Sequence, residues 1–181
     1  MDEVWNAKGT VLNHNLENIY LRVNALRRLA DKFDKTFFNH INGEFNTRMF
    51  KISPRFKTEA LISEGGHSSE SIGKTLRIKG NPIPNPPRNN QPYRAKIYVK
   101  YRDGWLEKEA VSSMFPKNWD LERIQQEVAF VYENTVAKDL GEIPRKLGGR
   151  LKQYAGKSTN GFNILIEIDD FGNILNAYPN M

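Results

Sequence analysis

The chain has 181 residues and a mass of 20.9 kDa, enough for one well-buried domain, and its ten Phe, seven Tyr and three Trp exclude wholesale disorder. The absence of cysteine excludes disulfides and thiolate metal sites without fixing the compartment, and no apolar run approaches the ~20 residues needed to cross a bilayer. A formal charge of +6 with a pI near 9.5 favours a polyanionic partner such as nucleic acid.

No signal-peptide core follows Met1, and Met1-Asp2-Glu3-Val4-Trp5 reads as the start of a domain cut from something longer. Export would then depend on a larger polypeptide or a dedicated machine. Leu12, Leu16, Ile19, Val23, Leu26, Ala30, Phe33 and Phe37 recur at steps of three and four, which predicts one long amphipathic helix ending near Phe38. His14 lies off that stripe and reads as a surface or capping residue. Asn39, Asn42 and Gly43 are turn formers, and residues 45–64 are ambiguous around Pro54. Gly65-Gly66 permits an unusual backbone geometry just before His67.

Residues 80–92 are too proline-dense for a helix or an inner strand and read as an extended surface loop. Ala95, Ile97 and Val99 alternate with Lys96, Tyr98 and Lys100, predicting a half-buried strand. Asp103-Gly104 makes a hairpin turn, and residues 105–111 return as the partner strand. Asn118 or Asp120 can cap a helix carrying Leu121, Ile124, Val128 and Val131. Residues 145–157 carry Arg145, Lys146, Arg150, Lys152 and Lys157 without an acid. They are either a solvated basic loop or a phosphate-holding one, where Gly148-Gly149 and Gly156 allow close approach. Residues 162–168 and 174–178 form a second hairpin. The result is α+β, helices first and then antiparallel strands around one more helix.

Two histidines, His40 and His67, sit in glycine-punctuated segments well apart in sequence. Each alone is an ordinary hydrogen-bonded residue; together they can act as base and acid near neutrality. A metal site is disfavoured, because no third histidine stands at ligand spacing and the nearest acids are Glu44, Glu64 and Glu70. Metal-independent RNA cleavage needs a base for the 2′-hydroxyl, an acid for the departing 5′-oxygen and a cation for the phosphorane.

His40-Ile41-Asn42-Gly43-Glu44, Gly65-Gly66-His67, the run from Ser112-Ser113-Met114-Phe115 through Pro116-Lys117-Asn118-Trp119, and Ala177-Tyr178-Pro179 follow in order. This series resembles the bacterial EndoU-type endoribonuclease toxin domain of the poly(U)-specific endoribonuclease superfamily. The resemblance covers the chain from His40 to near its last residues. It implies an EndoU-like, ribonuclease A-like catalytic fold, with residues 1–39 a helical N-terminal part and 40–181 the catalytic α+β part of one domain.

It further implies His67 as general base, His40 as general acid and Lys108 as the cation on the scissile phosphate. Ser112 or Ser113, Asn176 and Tyr178 would then hold the nucleotide. Without the resemblance Lys108 is a solvated strand lysine, with Lys100 and Lys74 as substitutes; Tyr178 is a core tyrosine, and Phe115 and Trp119 are packing residues. Family members commonly carry Thr where this chain has Asn176, which bears on strict uridine preference, although an amide offers both a donor and an acceptor. The 27-residue separation of the two histidines implies an insertion between them.

The implied activity is cleavage of single-stranded RNA to a 2′,3′-cyclic phosphate, without a cofactor, by a toxin used between competing bacteria. Such a toxin travels as part of a larger secreted or cell-surface protein and acts in the target cell's cytoplasm. Transfer RNA is one target it would meet there, though no residue encodes that choice. A cognate immunity protein of acidic character is implied as well. The alternatives are a non-catalytic RNA-binding module of the same fold, and a DNase, whose substrate lacks the 2′-hydroxyl this chemistry uses.

Overall fold

The computed structural model describes residues 2–145, 149 and 151–181, with side chains described from Asn15 onward. Helix α1 (Asp2–Leu29) leads through a 3-10 turn (Ala30–Lys32) into α2 (Lys35–Asn42). The single long helix expected from the apolar stripe is therefore two. Asp34 breaks it by accepting a hydrogen bond from the Thr36 amide and capping α2, and Phe33 bridges to Ile174. The early part of the stripe is not core either: Leu16 and Ile19 are exposed, while Phe37 and Ile41 of α2 are fully buried. His14 lies outside the described side chains.

Strands β1 (Glu44–Ser53) and β2 (Phe56–Glu64) form an antiparallel ribbon turning at Pro54-Arg55. The sequence left this stretch undecided for a physical reason. Both faces of the ribbon are largely exposed, so no period-two burial is written into it. A second sheet contains β3 (Leu76–Ile83), β4 (Tyr93–Tyr101) and β5 (Gly104–Glu107), with β6 (Ser112–Met114) pairing on the other half of β4. The expected return strand over 105–111 is thus interrupted: β5 stops at Glu107 and β6 resumes five residues later. The 80–92 loop begins later than its prolines predict, because β3 carries Pro82. It does so as an edge strand with a register irregularity between Lys79 and Ile83, where a missing N–H is tolerated.

Helix α3 (Leu121–Asn134) is capped by Asp120, which accepts from the Arg123 amide. Asn118, the other candidate cap, instead bonds Asn90. The chain closes with β7 (Glu142–Ile143), β8 (Lys152–Lys157), β9 (Asn163–Ile168) and β10 (Ile174–Pro179), arranged β10-β9-β8-β7 and antiparallel throughout. The architecture is α+β, with three antiparallel sheets.

Two cores hold it. The larger packs α2 and α3 on the last sheet through Phe37, Ile41, Ile124, Val128, Ile164, Ile166 and Ile174. The smaller lies within the β3–β4–β6 sheet, through Leu76, Tyr93, Ile97, Val99 and Met114. Helix α1 packs on α3, with Arg22 bonding Gln126 and Arg28 bonding Glu133.

Part of the basic segment is strand rather than loop, with Lys152 and Lys157 at the two ends of β8. Gly156 does not face a ligand: a Cβ there would meet Thr135 Cγ2 at 2.6 Å, so its small size lets β8 lie against α3. Lys146, Gly148 and Arg150 lie outside the described residues. Among the described residues no helix is long and apolar enough to cross a membrane.

Candidate active site

Two segments far apart in sequence meet at the C-terminal end of α2. The last carbonyls of a helix lack partners inside it. Here His40 O accepts from the Gly66 amide at 2.8 Å, and Ile41 O accepts from the His67 amide at 2.9 Å. Gly65 and Gly66 have φ of +66° and +77°, and a Cβ on Gly65 would stand 1.9 Å from His40 O. Only glycine lets the chain run this close. The consequence is geometric: the rings of His40 and His67 lie 5.6 Å apart, centroid to centroid.

The two imidazoles are held differently. His67 Nδ1 lies 2.6 Å from the carbonyl of Ser113. A carbonyl only accepts, so Nδ1 carries the proton and Nε2 of the neutral ring is left with its lone pair. Burial, the nearby Lys108 ammonium and His40 push the His67 pKa down to about 3, against the opposing Ser113 hydrogen bond. His40 Nδ1 lies 3.0 Å from Glu44 Oε1, where the first residue of β1 returns beside the helix end. A carboxylate accepts, so Nδ1 donates to it and Nε2 is the nitrogen left for other partners.

Lys108 stands in the break between β5 and β6. Its amide is fixed to Ile97 O at 2.9 Å, and its Nζ donates to Gly65 O and Ser112 Oγ, each at 2.8 Å. Burial lowers its pKa to about 8, opposed by the Glu64 carboxylate, so the ammonium keeps its charge at neutral pH. Two of its three N–H groups are engaged, which leaves one for a ligand. Ser112 is fully buried, with its Oγ also 3.1 Å from Gly65 O. It sits behind the lysine; Ser113 is the serine that lines the cleft.

Tyr178 on β10 stacks on His67, with centroids 5.4 Å apart and planes at 25°. Asn176, two residues earlier and nearly buried, donates its Nδ2 to Glu167 Oε1 at 2.6 Å, and Gln153 donates to the same carboxylate. One of the two Nδ2 hydrogens at position 176 is therefore engaged. Its Oδ1 has no partner among the described residues.

His40, His67, Lys108, Asn176 and Tyr178 all border one cleft of about 750 Å³, whose far wall is the β1–β2 ribbon. A neighbouring pocket of about 640 Å³ shares Val111, Ser113 and Tyr178 with it and adds Lys79, Arg94 and Lys96. Lys100 and Lys74, the substitutes for Lys108, border neither. None of the described residues of the 145–157 segment does. Phe115 and Trp119 are core residues, and among the described residues no group of three or more His, Cys, Asp or Glu is placed to hold a metal ion.

Two imidazoles on opposite hydrogen-bonding regimes, with an ammonium bordering the same cleft, are the kinds of group that phosphodiester chemistry uses. The family model described as Bacterial EndoU nuclease matches residues 35–181, from the first residue of α2 to the last of the chain. The chain belongs to that family. Comparison with curated proteins gives no match, and comparison with solved structures gives none.

In this EndoU nuclease several residues of the cleft went unassigned in the sequence. Glu44 had a signal, four residues after His40, but a helix-spaced pair carries no role until the ring's other face is known. Gly65 O and the Ser113 carbonyl act through backbone atoms and leave no compositional trace. Arg48, Phe50 and Glu64 belong to the stretch whose strands the sequence did not resolve.

Proposed function

We propose that the protein is an endoribonuclease that cleaves single-stranded RNA by metal-independent transesterification. His67 Nε2 takes the proton of the ribose 2′-hydroxyl, and the 2′-oxygen attacks phosphorus. The bond from phosphorus to the 5′-oxygen breaks as His40 Nε2 protonates that oxygen, leaving a 2′,3′-cyclic phosphate and a free 5′-hydroxyl. Lys108 offsets the extra negative charge of the phosphorane. A phosphodiester against Lys108 would offset that ammonium's contribution to the lowered His67 pKa, which is second to burial, and so raise the ring's proton affinity.

One observation carries the reading: the two imidazoles, 5.6 Å apart, have their Nδ1 atoms on a carbonyl and a carboxylate respectively. That leaves two Nε2 atoms with opposite tasks. In this reading Tyr178, with one face on His67, presents its surroundings to the sugar and base, and Ser113 and Asn176 border the nucleotide. Ser112 acts through Lys108. Asn176 keeps one Nδ2 hydrogen beyond the one on Glu167, in place of the hydroxyl of the Thr common in the family, which bears on strict uridine preference.

Family membership and the basic charge support a toxin of interbacterial competition, carried to the target as part of a larger secreted or cell-surface protein. Its substrate would be cytoplasmic RNA, transfer RNA among it, and an acidic immunity protein covering the cleft would protect the producer. The deciding experiment incubates matched RNA and DNA oligonucleotides with the protein in EDTA. Cleavage of RNA alone, with cyclic-phosphate ends, is expected, and His40→Ala and His67→Ala should each lose ~10²–10⁴ in rate while staying folded. Binding without cleavage would select a non-catalytic RNA-binding module; cleavage of DNA would overturn both.

A further inference from the structure

The β1–β2 ribbon is longer than the catalytic centre requires. Its base already places Glu44 beside His40 and Glu64 near Lys108, yet its strands run for ten and nine residues. At ~3.3 Å per residue that is about 30 Å. Away from the base, Met49, Phe50, Ile52 and Phe56 are 59%, 46%, 71% and 70% exposed. A two-stranded ribbon with neither face covered is marginal on its own in water. Self-packing does not account for these side chains.

Charge identifies the occupant. Arg48, Lys51, Arg55 and Lys57 fall within this tip, and no acidic residue occurs from Arg48 to Thr58. Arg48 is paired with Glu64, whereas Lys51, Arg55 and Lys57 have no ion pair among the described residues. Cations interleaved with exposed aromatic rings fit a single nucleic-acid strand, whose bases stack while its phosphates are neutralised.

The ribbon is also continuous with the cleft. Arg48 is opposite Ala60 and Phe50 opposite Thr58, so they share a face with Ile62 and Glu64. Those four residues border the cleft that contains His40 and His67. Phe56, two positions before Thr58, falls on the same face. The opposite face is anchored at the base by Phe45, edge-on to Tyr101 at 4.6 Å.

We infer that the β1–β2 ribbon is an RNA-guiding arm: Phe50 and Phe56 stack unpaired bases on the cleft face, and Arg55 at the turn, with Lys51 and Lys57 on the reverse face, holds the phosphates of the strand as it passes round the ribbon. The inference rests on the ribonuclease reading above. It is tested with Phe50→Ala/Phe56→Ala and Lys51→Ala/Arg55→Ala/Lys57→Ala variants, on a dinucleotide and on a single strand of roughly twelve nucleotides, within the usual range of single-strand sites.

The ratio of kcat/KM on the long strand to that on the dinucleotide should fall by at least about tenfold in the aromatic variant. In a His40→Ala background, fluorescence anisotropy with the labelled long strand should show a triple-cation variant whose log–log salt slope is shallower by about 2. Failure of the wild-type protein to cleave any RNA sinks the ribonuclease reading itself. Normal cleavage with an unchanged length ratio and salt slope in both variants overturns the arm alone, and assigns the exposed ribbon to a protein partner.

Discussion

The Nδ1 proton of His67 has one acceptor, the Ser113 carbonyl, and that bond settles which nitrogen can work as a base. The same burial that fixes the ring also ties stability to pH. The unfolded chain protonates this imidazole below about 6.5, and the folded one only near 3. Between those values the unfolded state binds the extra proton, so stability falls as pH falls through that window. Thermal unfolding measured from pH 7 to pH 4 should show this decline, and His67→Gln should flatten it. At the alkaline end Lys108 loses its charge near pH 8 in the free protein. Accordingly kcat/KM is expected to drop above that pH, and Lys108→Arg should push the limb upward while lowering the rate; a limb left in place by that change would remove Lys108 from the electrostatic role. Side-chain types at these positions were legible in the sequence because few residues can do proton transfer. Their tautomers and charge states were not, since Ser113 O, Gly65 O and Glu44 reach them through the fold.

At the scale of elements, the junction of α2 with the Gly65-Gly66 turn is the most constrained piece of the chain. Gly65→Ala places a methyl group 1.9 Å from His40 O at a φ that side chains avoid. We expect a loss of at least roughly 2–3 kcal/mol in urea unfolding. Gly156→Ala meets Thr135 Cγ2 at 2.6 Å and should cost about 1–3 kcal/mol, with the cleft intact and RNA turnover near normal at a permissive temperature. Where one face of an element is buried, as in α3 and β4, sequence periodicity located it. It failed where burial did not alternate. The β1–β2 ribbon is largely exposed on both sides, and β8 offers one buried side chain, Tyr154, among partly or fully exposed neighbours. The helix break at Asp34 was missed because an apolar stripe continues across it, while the capping carboxylate that ends the first helix looks like any polar residue.

Across the whole molecule the residues that line the cleft are drawn from both cores and from the ribbon. His40 belongs to α2 in the larger core, Lys108 and Ser113 to the β4–β6 region of the smaller one, and Asn176 and Tyr178 to the last sheet. No single sheet makes the cleft. The overall α+β class could be read from the order of periodic segments, but their convergence depends on contacts between residues dozens of positions apart, such as Phe115 N on His67 O. The family match begins at residue 35, so α1 precedes it, held to α3 by Arg22 and Arg28. Arg28→Ala should leave stability nearly unchanged by chemical denaturation, because its partner Glu133 is reached from an exposed, solvent-screened position.

The carbonyls that end α2 are stitched to the very amides that carry the second imidazole. Because Phe37 and Ile41 of that same short helix are fully buried in the larger core, the pairing of the two rings cannot come apart on its own. On heating, turnover and ellipticity should vanish together, in one transition.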